Sequence, residues 1–440
     1  MTAREAALTA LERCRRDGAW SGSSIDGMIK KYALDRREAA LAARLCLGVL
    51  QNSLLCDYYI GCYCSTEPKR LEPKLHDILL LGVYQILLLD RIPARAAVNE
   101  SVALCRKCGV SRASGLANAV LRRIAENKSA GTLPDIPGEG GAEYLSIKYS
   151  HPEWLASRII SERGYDFAEA FLACNNRPAP LTIQVNTLKI SPEDYRRALL
   201  RAEIDFEYDE RLSGCFVLPG GNVAELPGFA DGLFYVQDRA ARTAVEIAAP
   251  EPGMTVLDAC SAPGGKSFAA AIRMNGKGSI LSCDMHEKKL KLISAGAERL
   301  GIDNIRTAAM DARRHDAALE ESFDVVIADV PCSGLGVIAK KPEIRGKTEA
   351  EISALPAIQR DILDNLAAYV KPGGVLLYST CTVLRAENED VVNAFLANHG
   401  KFAPEGFNVG SVSEPGGMHC FWPNVDGTDG FFTAKLRRIE

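Results

Sequence analysis

The sequence of 440 residues has no long hydrophobic run. A membrane-spanning helix needs about 18–20 apolar residues, and the longest apolar stretch, residues 78–89, is interrupted by Gly82 and Gln85. This stretch predicts a buried core helix instead. Residues 1–18 form a charged, alanine-rich amphipathic pattern without the apolar centre of a signal peptide. These absences exclude a helical membrane protein and predict a cytoplasmic protein with no membrane partner.

The 14 cysteines lack the regular spacing of a disulfide framework, which predicts reduced thiols. Two close pairs, Cys62 with Cys64 and Cys105 with Cys108, raise the alternative of a zinc site. Both pairs lie in predicted helical or turn segments, and no histidine-rich partner is near them. We therefore predict no metal.

The charge of the chain is uneven along its length. Residues 1–130 contain 20 basic and 13 acidic residues, a net charge of +7, whereas the remainder carries −11. A basic N-terminal third on an acidic body is typical of a protein that binds a polyanion, although ordinary surface charge explains it equally well.

The length predicts roughly two to four domains, and the sequence pattern divides the chain into three. The boundaries fall at a Gly- and Pro-rich stretch, residues 130–141, and near residue 238. Residues 1–130 carry apolar residues at three- and four-residue spacing and predict an all-α domain. Its expected helices cover residues 4–16, 36–51, 73–89, 96–109 and 111–126, with N-caps at Asp35 and Ser111.

Residues 142–238 predict a helical linker followed by a small α+β module of a kind that binds RNA on its sheet. Within this module, residues 192–201 predict a helix opened by Ser191. Residues 239–440 alternate strand and helix and predict a Rossmann-like α/β domain with a mostly parallel sheet. An edge strand is expected to close this sheet at residues 431–439. The predicted fold is thus multidomain, and ligands are expected at the carboxyl ends of the parallel strands.

The first strand of the α/β domain leads into Asp-Ala-Cys-Ser-Ala-Pro-Gly-Gly-Lys-Ser, residues 258–267. Gly264 and Gly265 allow a sharp turn and the close approach of a ligand. The helix that follows directs its N-terminal N–H groups to the same place. The spacing fits neither the phosphate-binding loop nor the GxGxxG fingerprint. It is consistent with S-adenosylmethionine, which we predict as the cofactor.

Acidic residues stand at the ends of the next two strands. Asp284 is placed to accept hydrogen bonds from ribose hydroxyls, and Asp311 to accept one from an adenine amine. Either residue alone could be a helix N-cap. Their succession at neighbouring strand ends favours cofactor binding.

Two cysteines follow the fourth and fifth strands, in Asp329-Val-Pro-Cys332 and Ser379-Thr-Cys381. A thiolate is an accessible nucleophile near neutral pH. Its addition to carbon 6 of cytosine would make carbon 5 nucleophilic, while Asp329 would hold or protonate N3 and the second thiol would help to break the adduct. The base must leave its stack to reach such a pocket. Spacing alone does not decide which cysteine attacks.

Four motifs resemble those of the Sun-type RNA (cytosine-5) methyltransferases and occur in the same order: residues 260–266 (CSAPGGK), 329–334 (DVPCSG), 379–382 (STCT) and 429–432 (DGFF). In the N-terminal domain, AVNESV and NAVLR are similar to NusB, a helical RNA-binding fold. The resemblance covers nearly the whole chain. It implies a monomeric enzyme that methylates carbon 5 of a cytosine in RNA, with 16S ribosomal RNA as the partner.

The resemblance implies a role for each matching residue. Cys381 would be the nucleophile, and Cys332 would aid release of the product. Asp329 would contact cofactor and base, and Lys266 would help to position them. Asn186 matches a stretch that contacts RNA in the family. Cofactor binding is implied for Cys260, Ser261, Ala262, Pro263, Gly264, Gly265, Lys266, Asp284, Asp311 and Asp329.

Three positions depart from the family pattern and concern RNA contacts or local packing: Gln184, Ala240 and Gly346. Isolated histidines such as His315 and His419 are predicted to be structural.

Two other functions remain open. One is a NusB-like RNA-binding factor with a methyltransferase scaffold, against which the intact motifs argue. The other is a DNA cytosine methyltransferase, in which the nucleophile follows a proline and would have to be Cys332.

Overall fold

The computed structural model describes residues 1–17 and 20–440. Contacts divide them into two units, Met1–Arg177 with Ile338–Glu349, and Pro178–Val337 with Ala350–Glu440. The segment Ile338–Glu349 therefore packs with the first unit, although its neighbours in the chain pack with the second. The three-domain division drawn from the sequence remains a prediction.

The first unit is helical. Its helices are α1 (Ala3–Asp17), α2 (Ser21–Lys31), α3 (Arg36–Gln51), α4 (Ser53–Tyr63), α5 (Pro73–Leu88), α6 (Ala94–Lys107), α7 (Ser114–Ala130), α8 (Ala142–Tyr149), α9 (Glu153–Arg163) and α10 (Tyr165–Cys174). Helix α5 is buried over most of its length, as its apolar run predicts. This confirms the predicted all-α N-terminal fold. In the described part of the chain, no single helix is long and apolar enough to cross a membrane. Helices α3 and α4 reach the required length and hydropathy only as a pair, with a bend of 76° between them.

The two predicted N-caps have different outcomes. The Asp35 side chain accepts hydrogen bonds from the N–H groups of Arg37 and Glu38 at the start of α3, as predicted. The prediction for Ser111 is wrong, because α7 begins only at Ser114, after a 3₁₀ turn. The hydroxyl of Ser111 donates to the carbonyl of Arg106 instead.

One buried arginine anchors the segment Ile338–Glu349 in the helical unit. The Arg345 guanidinium donates to the carbonyl oxygens of Gln51, Tyr149, Ser150 and Asn175 and to the side chain of Asn176. Burial lowers the pKa of Arg345 to about 9, so the side chain stays charged near neutral pH. The ring of acceptors offsets the cost of burying that charge.

The second unit begins with a small antiparallel sheet in the order β2-β3-β1-β4. Its strands are β1 (Leu181–Val185), β2 (Glu207–Tyr208), β3 (Cys215–Leu218) and β4 (Phe234–Val236), with α11 (Pro192–Arg201) after β1. Ser191 caps α11, as its position before Pro192 predicts. The buried ring of Tyr195 contacts Phe216 and Phe234 on the sheet. The predicted small α+β module is confirmed.

The rest of the second unit is built on a mixed sheet in the order β10-β14-β9-β8-β5-β6-β7, with β13 also paired to β14. Its strands are β5 (Thr255–Asp258), β6 (Ser279–Asp284), β7 (Ile305–Ala309), β8 (Phe323–Asp329), β9 (Val370–Thr380), β10 (Phe402–Pro404), β13 (Met418–Phe421) and β14 (Phe431–Arg438); β11 (Phe407–Val409) and β12 (Val412–Glu414) pair separately. The helices are α12 (Arg239–Ala248), α13 (Gly265–Arg273), α14 (Glu287–Leu300), α15 (Glu349–Ile352), α16 (Leu355–Ala367), α17 (Glu389–Asn398) and α18 (Pro423–Asp426).

Strands β5 to β9 are parallel, which confirms the predicted Rossmann-like α/β fold. The prediction that residues 431–439 form an edge strand is wrong. Strand β14 lies between β9 and β10 and is antiparallel to both. Nearly all of its side chains are buried, which favours a place inside the sheet, where both faces of a strand are covered. The strand order reverses between β5 and β8, and the crevice at their carboxyl ends is where such sheets bind ligands.

Candidate active site

The turn between β5 and α13 contains residues 260–266 of the predicted cofactor site. The N–H and the hydroxyl of Ser261 both donate to the carbonyl of Cys283, at 2.7 and 2.9 Å, which ties the turn to the end of β6. Gly264 has a φ of 111°, a conformation that favours glycine. Helix α13 begins at Gly265, so its free N–H groups face this turn.

A buried carboxylate lies directly beneath the turn. Asp258 accepts a hydrogen bond from the Ser267 hydroxyl at 2.6 Å, and Ser267 accepts one from Ser282 at 2.7 Å. Burial raises the pKa of Asp258 to about 7. Its Oδ1 atom is buried without a hydrogen-bond partner among the described residues. Such an oxygen is costly unless a donor reaches it, and an amino group of a bound ligand would supply one.

The other two predicted cofactor carboxylates differ in their surroundings. Asp284 is largely buried at the end of β6, accepts the N–H of His286 at 2.8 Å and lies 3.7 Å from Lys289 Nζ. Both oxygens of Asp311 bind the Arg313 guanidinium, and these bonds lower the pKa of Asp311. An adenine amine would have to share these oxygens with Arg313.

Lys266 and Asp329 form an ion pair at the carboxyl edge of the sheet. Lys266 Nζ donates to Asp329 Oδ2 at 2.7 Å, and the Ser379 hydroxyl donates to Asp329 Oδ1 at 2.9 Å. Asp329 and Ser379 are direct partners across β8 and β9. Lys266 Nζ also lies 5.0 Å from the centre of the Phe431 ring. The carboxylate of Asp329 is thus fixed through both oxygens.

The two predicted cysteines lie in contact beyond the same two strands. The Sγ atoms of Cys332 and Cys381 are 3.0 Å apart, and both residues are partly exposed. The hydrogen bond to Cys381, burial and the nearby Glu387 carboxylate raise the pKa of the Cys332 thiol well above its usual range. Cys332 therefore keeps its proton at neutral pH, and either thiol can be the donor in the contact between the two sulfurs.

Two buried residues that the sequence analysis missed contact the peptides around Cys332. Gln359 on α16 donates to the carbonyl of Pro331 at 3.0 Å, and Glu387 accepts the N–H of Ser333 at 2.9 Å. Neither residue follows a predicted strand or belongs to one of the four motifs. A lone acid and a lone glutamine give no signal in a single sequence.

Several candidate side chains lie outside this site. A ring nitrogen of His315 lies 2.8 Å from a carboxylate oxygen of Glu320, and a ring nitrogen of His419 lies 2.9 Å from one of Glu414. Within residues 1–17 and 20–440, no group of three or more His, Cys, Asp and Glu side chains is arranged to hold a metal ion.

Asn186 belongs to the stretch matched to RNA contacts in the family, and that match stays a prediction. Asn186 is fully buried, and its amide donates to the carbonyls of Gly232 at 3.0 Å and Leu300 at 2.8 Å. It joins the small sheet to α14 within the second unit.

The three departures from the family pattern differ in their surroundings. Gln184 and Ala240 are buried and serve packing. A Cβ atom at Gly346 would meet open space, so glycine is not required there.

Three family models match the chain. The family of 16S rRNA methyltransferases RsmB/F matches residues 245–437, and the NusB family matches residues 1–126. A ferredoxin-like domain of RsmF/B-like methyltransferases matches residues 151–223. The order of these matches is that of the observed helices, small sheet and mixed sheet.

Similar proteins extend over the whole chain. The probable ribosomal RNA small subunit methyltransferase B of Bacillus subtilis (strain 168) is 34% identical, covering 99% of this chain and 98% of the relative. Ribosomal RNA small subunit methyltransferase B of Vibrio vulnificus (strain YJ016) is 32% identical, covering 91% of each. The crystal structure of PH0851 has a TM-score of 0.83 and 28% identity, covering 99% of this chain and 98% of that one. These matches confirm the resemblance stated from the motifs: the chain belongs to the RsmB/F family of 16S rRNA methyltransferases.

Proposed function

We propose that this protein transfers a methyl group from S-adenosylmethionine to carbon 5 of a cytosine in 16S ribosomal RNA through a covalent bond between Cys381 and carbon 6. The observation that carries the proposal is the contact of the Cys332 and Cys381 thiols, 3.0 Å apart, beyond strands whose ends also hold the Lys266–Asp329 ion pair. A nucleophile, a second proton-carrying thiol and a fixed carboxylate are the groups that this chemistry requires.

The residues of the turn fit the amino-acid end of the cofactor. The unpartnered Oδ1 of Asp258 suits an ammonium group, and the N-terminus of α13 suits a carboxylate. Asp284 is proposed to bind the ribose hydroxyls and Asp311 the adenine amine. S-adenosylmethionine, when bound, would supply the methyl group as an electrophile, and its sulfur would keep the electron pair of the broken sulfur–methyl bond as a neutral thioether.

Cys381 begins the reaction in this proposal. Its thiolate is stabilised by the hydrogen bond from the Cys332 thiol, and it forms a bond to carbon 6 of the base. The electron pair of the C5=C6 double bond is displaced into the ring, where N3 takes up a proton from solvent and the Asp329 carboxylate accepts a hydrogen bond from the resulting N–H. Lys266 holds Asp329 at 2.7 Å for this role. Carbon 5, now electron-rich, takes up the methyl group.

Cys332 ends the reaction. Once the Cys381 sulfur is bonded to carbon 6, it carries no charge, and the main reason for the raised pKa of Cys332 is removed. Cys332 then loses its proton to solvent and accepts the proton from carbon 5. The C5=C6 double bond re-forms, the electrons of the carbon–sulfur bond return to Cys381, and the proton at N3 returns to solvent. The assignment of Cys381 to attack and Cys332 to release is the one that the family resemblance implies, and the raised pKa of Cys332 is compatible with it.

Ribosomal RNA is proposed as the substrate because similar proteins are named for it and residues 1–126 match the NusB family. Residues 1–130, with a net charge of +7, would contact its phosphates. A ribosomal substrate also places the enzyme in the cytoplasm.

Single cysteine substitutions test the mechanism. We expect Cys381→Ala to bind S-adenosylmethionine normally and to transfer no methyl group to a 16S rRNA transcript. We expect Cys332→Ala to accumulate a covalent RNA–protein adduct on denaturing gels. Cys420→Ala, a partly exposed cysteine of the same unit, is the control and should retain activity without an adduct. Full activity of Cys381→Ala would overturn the mechanism.

The target is tested by bisulfite sequencing of ribosomal RNA from cells with and without the protein. A single cytosine that loses its protection in the deletion, and regains it with the wild type but not with Cys381→Ala, is the expected result. Methylation of DNA that depends on Cys332 rather than Cys381 would favour the DNA methyltransferase alternative.

A further inference from the structure

The peptides on both sides of Cys332 are held by two buried side chains. Gln359 Nε2 donates to the carbonyl of Pro331 at 3.0 Å, and Glu387 Oε2 accepts the N–H of Ser333 at 2.9 Å. Gln359 also donates to the same oxygen of Glu387, at 2.9 Å. Both side chains are almost completely buried, with relative exposures of 0% and 1%. The position of Cys332 is therefore fixed by side chains that belong to other elements than the strand it follows.

The next residue in the chain binds the residues on both sides of Cys381, one through its hydroxyl and one through its carbonyl. Asn388 Oδ1 accepts the Thr380 hydroxyl at 2.6 Å, and Asn388 Nδ2 donates to the carbonyl of Thr382 at 3.1 Å. Asn388 is fully buried. Consecutive residues thus hold one cysteine each, Glu387 for Cys332 and Asn388 for Cys381.

Two further bonds join these arrangements. The hydroxyls of Ser333 and Thr382, the residues after the two cysteines, lie 2.8 Å apart, and both are buried. The Tyr378 hydroxyl donates to the carbonyl of Glu387 at 2.6 Å, which fixes the pair to β9. The contact between the two thiols is therefore backed by a buried hydrogen-bond network.

We infer that Gln359, Glu387 and Asn388 are positioning residues that set two different steps of the reaction: Gln359 and Glu387 place Cys332 for release of the product, and Asn388 places Cys381 for attack. This rests on the proposed function of the two cysteines. None of the three touches the reacting atoms, so they act only through the thiols.

The two proposed roles predict different effects on the single-turnover rate of methyl transfer and on steady-state turnover. In Gln359→Leu and Glu387→Ala, we expect methyl transfer in a single turnover to stay within about threefold of wild type, because Cys381 remains in place. Steady-state turnover should fall about tenfold, and adduct should accumulate, because a displaced thiol loses its geometric advantage. In Asn388→Ala, the single-turnover rate itself should fall about tenfold without accumulation of adduct.

Conservative and matched variants separate positioning from a general loss of stability. Glu387→Gln keeps an acceptor oxygen for Ser333 and should keep turnover within about threefold of wild type. Thr382→Val keeps the shape of the side chain but removes its hydrogen bond to Ser333, so it should slow release of the product. Because the substitution is small, it tests the inference if one of the larger substitutions prevents folding. Gln85→Leu removes an equally buried glutamine from the helical unit and should not accumulate adduct.

The experiment uses the full chain, a 16S rRNA transcript and S-adenosylmethionine with a labelled methyl group, with Cys332→Ala on the same gels. If Cys332→Ala forms adduct but Gln359→Leu and Thr382→Val do not, the inference is overturned and the proposed function stands. Equal losses of single-turnover and steady-state rates in Gln359→Leu also overturn it. If Cys332→Ala itself forms no adduct, the proposed release step fails, and the inference fails with it.

Discussion

At the scale of single residues, Asp258 is proposed to link stability to cofactor binding. Its pKa is raised by burial from 3.8 to about 7, so the folded protein keeps a proton that the unfolded chain releases above about pH 4. The stability that this proton contributes is complete below pH 4 and is lost as the pH rises through 7. A cationic ligand group next to Asp258 would reverse that loss.

We therefore predict that Asp258→Asn raises the melting temperature of the free protein at pH 8 by several degrees and weakens binding of S-adenosylmethionine at least about tenfold. The side-chain amide keeps an acceptor for the Ser267 hydroxyl but never carries a charge. Scanning calorimetry at pH 5 and pH 8 measures the first effect, which should be much smaller at pH 5. Isothermal calorimetry measures the second.

Asp324→Asn is the control, with the opposite sign. Burial acts against ionisation there, but bonds to Lys371 and Thr255 prevail and lower the pKa of Asp324. Its contribution is present above pH 4 and lost below it, so the variant should be less stable than wild type at pH 8. An Asp258→Asn protein that is also less stable at pH 8 would contradict the role given to burial.

The residues of the site could be predicted where they follow strands. Lys266, Asp329, Cys332 and Cys381 were found from the strand–turn pattern because parallel strands bring their carboxyl ends to one edge. Their assignment to the catalytic roles remains a proposal. Glu387 and Gln359 could not be found, since they reach Cys332 from 55 and 27 positions away in the chain and only the folded packing joins them.

At the scale of elements, local pattern and tertiary environment agree in most places. Helix α3 has the predicted bounds, and α11 begins and ends where Ser191 and the apolar spacing predict. Helix α2 was missed because glycines and serines lower its helix propensity, although Ile25 and Met28 bury it in the core. The place of β14 inside the sheet depends on pairing with β9 and β10, which no local pattern encodes.

Arg345 makes several of the hydrogen bonds that hold the segment Ile338–Glu349 in the helical unit, which leads to a prediction at this scale. Arg345→Met should destabilise the helical unit by about 3 kcal/mol or more, because it leaves a ring of buried acceptors without a donor. Trypsin should then cleave faster after Lys347. Calorimetry and timed proteolysis of the full chain measure both effects.

Arg158→Met provides the comparison, because Arg158 on α9 binds the same segment through Glu349. The Arg158 guanidinium is 43% exposed and binds Glu349 at 2.6 Å, so its loss should change stability by about 0.5 kcal/mol at most. Equal sensitivity of the two variants to heat and trypsin would show that Arg345 does not anchor the segment.

At the scale of the whole molecule, charge and chemistry are separated along the chain. The proposed reacting groups all belong to the second unit, whereas residues 1–130 of the helical unit carry the positive charge. A polyanionic substrate would gain affinity from the first and be modified by the second. Substitutions in the helical unit should therefore change RNA affinity without changing cofactor affinity.

Arg122 and Arg123 on α7 test this separation, since both are exposed and adjacent. Reversing both to Glu should raise the KM for 16S rRNA at least about tenfold at low salt, reduce the salt dependence of binding, and leave the affinity for S-adenosylmethionine unchanged. Arg196 and Arg197 on α11 are also exposed and adjacent, but each pairs with an acid three residues earlier, Glu193 or Asp194. Their reversal should have the smaller effect on RNA binding, because those acids already offset their charge. If the α11 pair mattered as much as the α7 pair, the basic N-terminal third would not be what attracts the RNA.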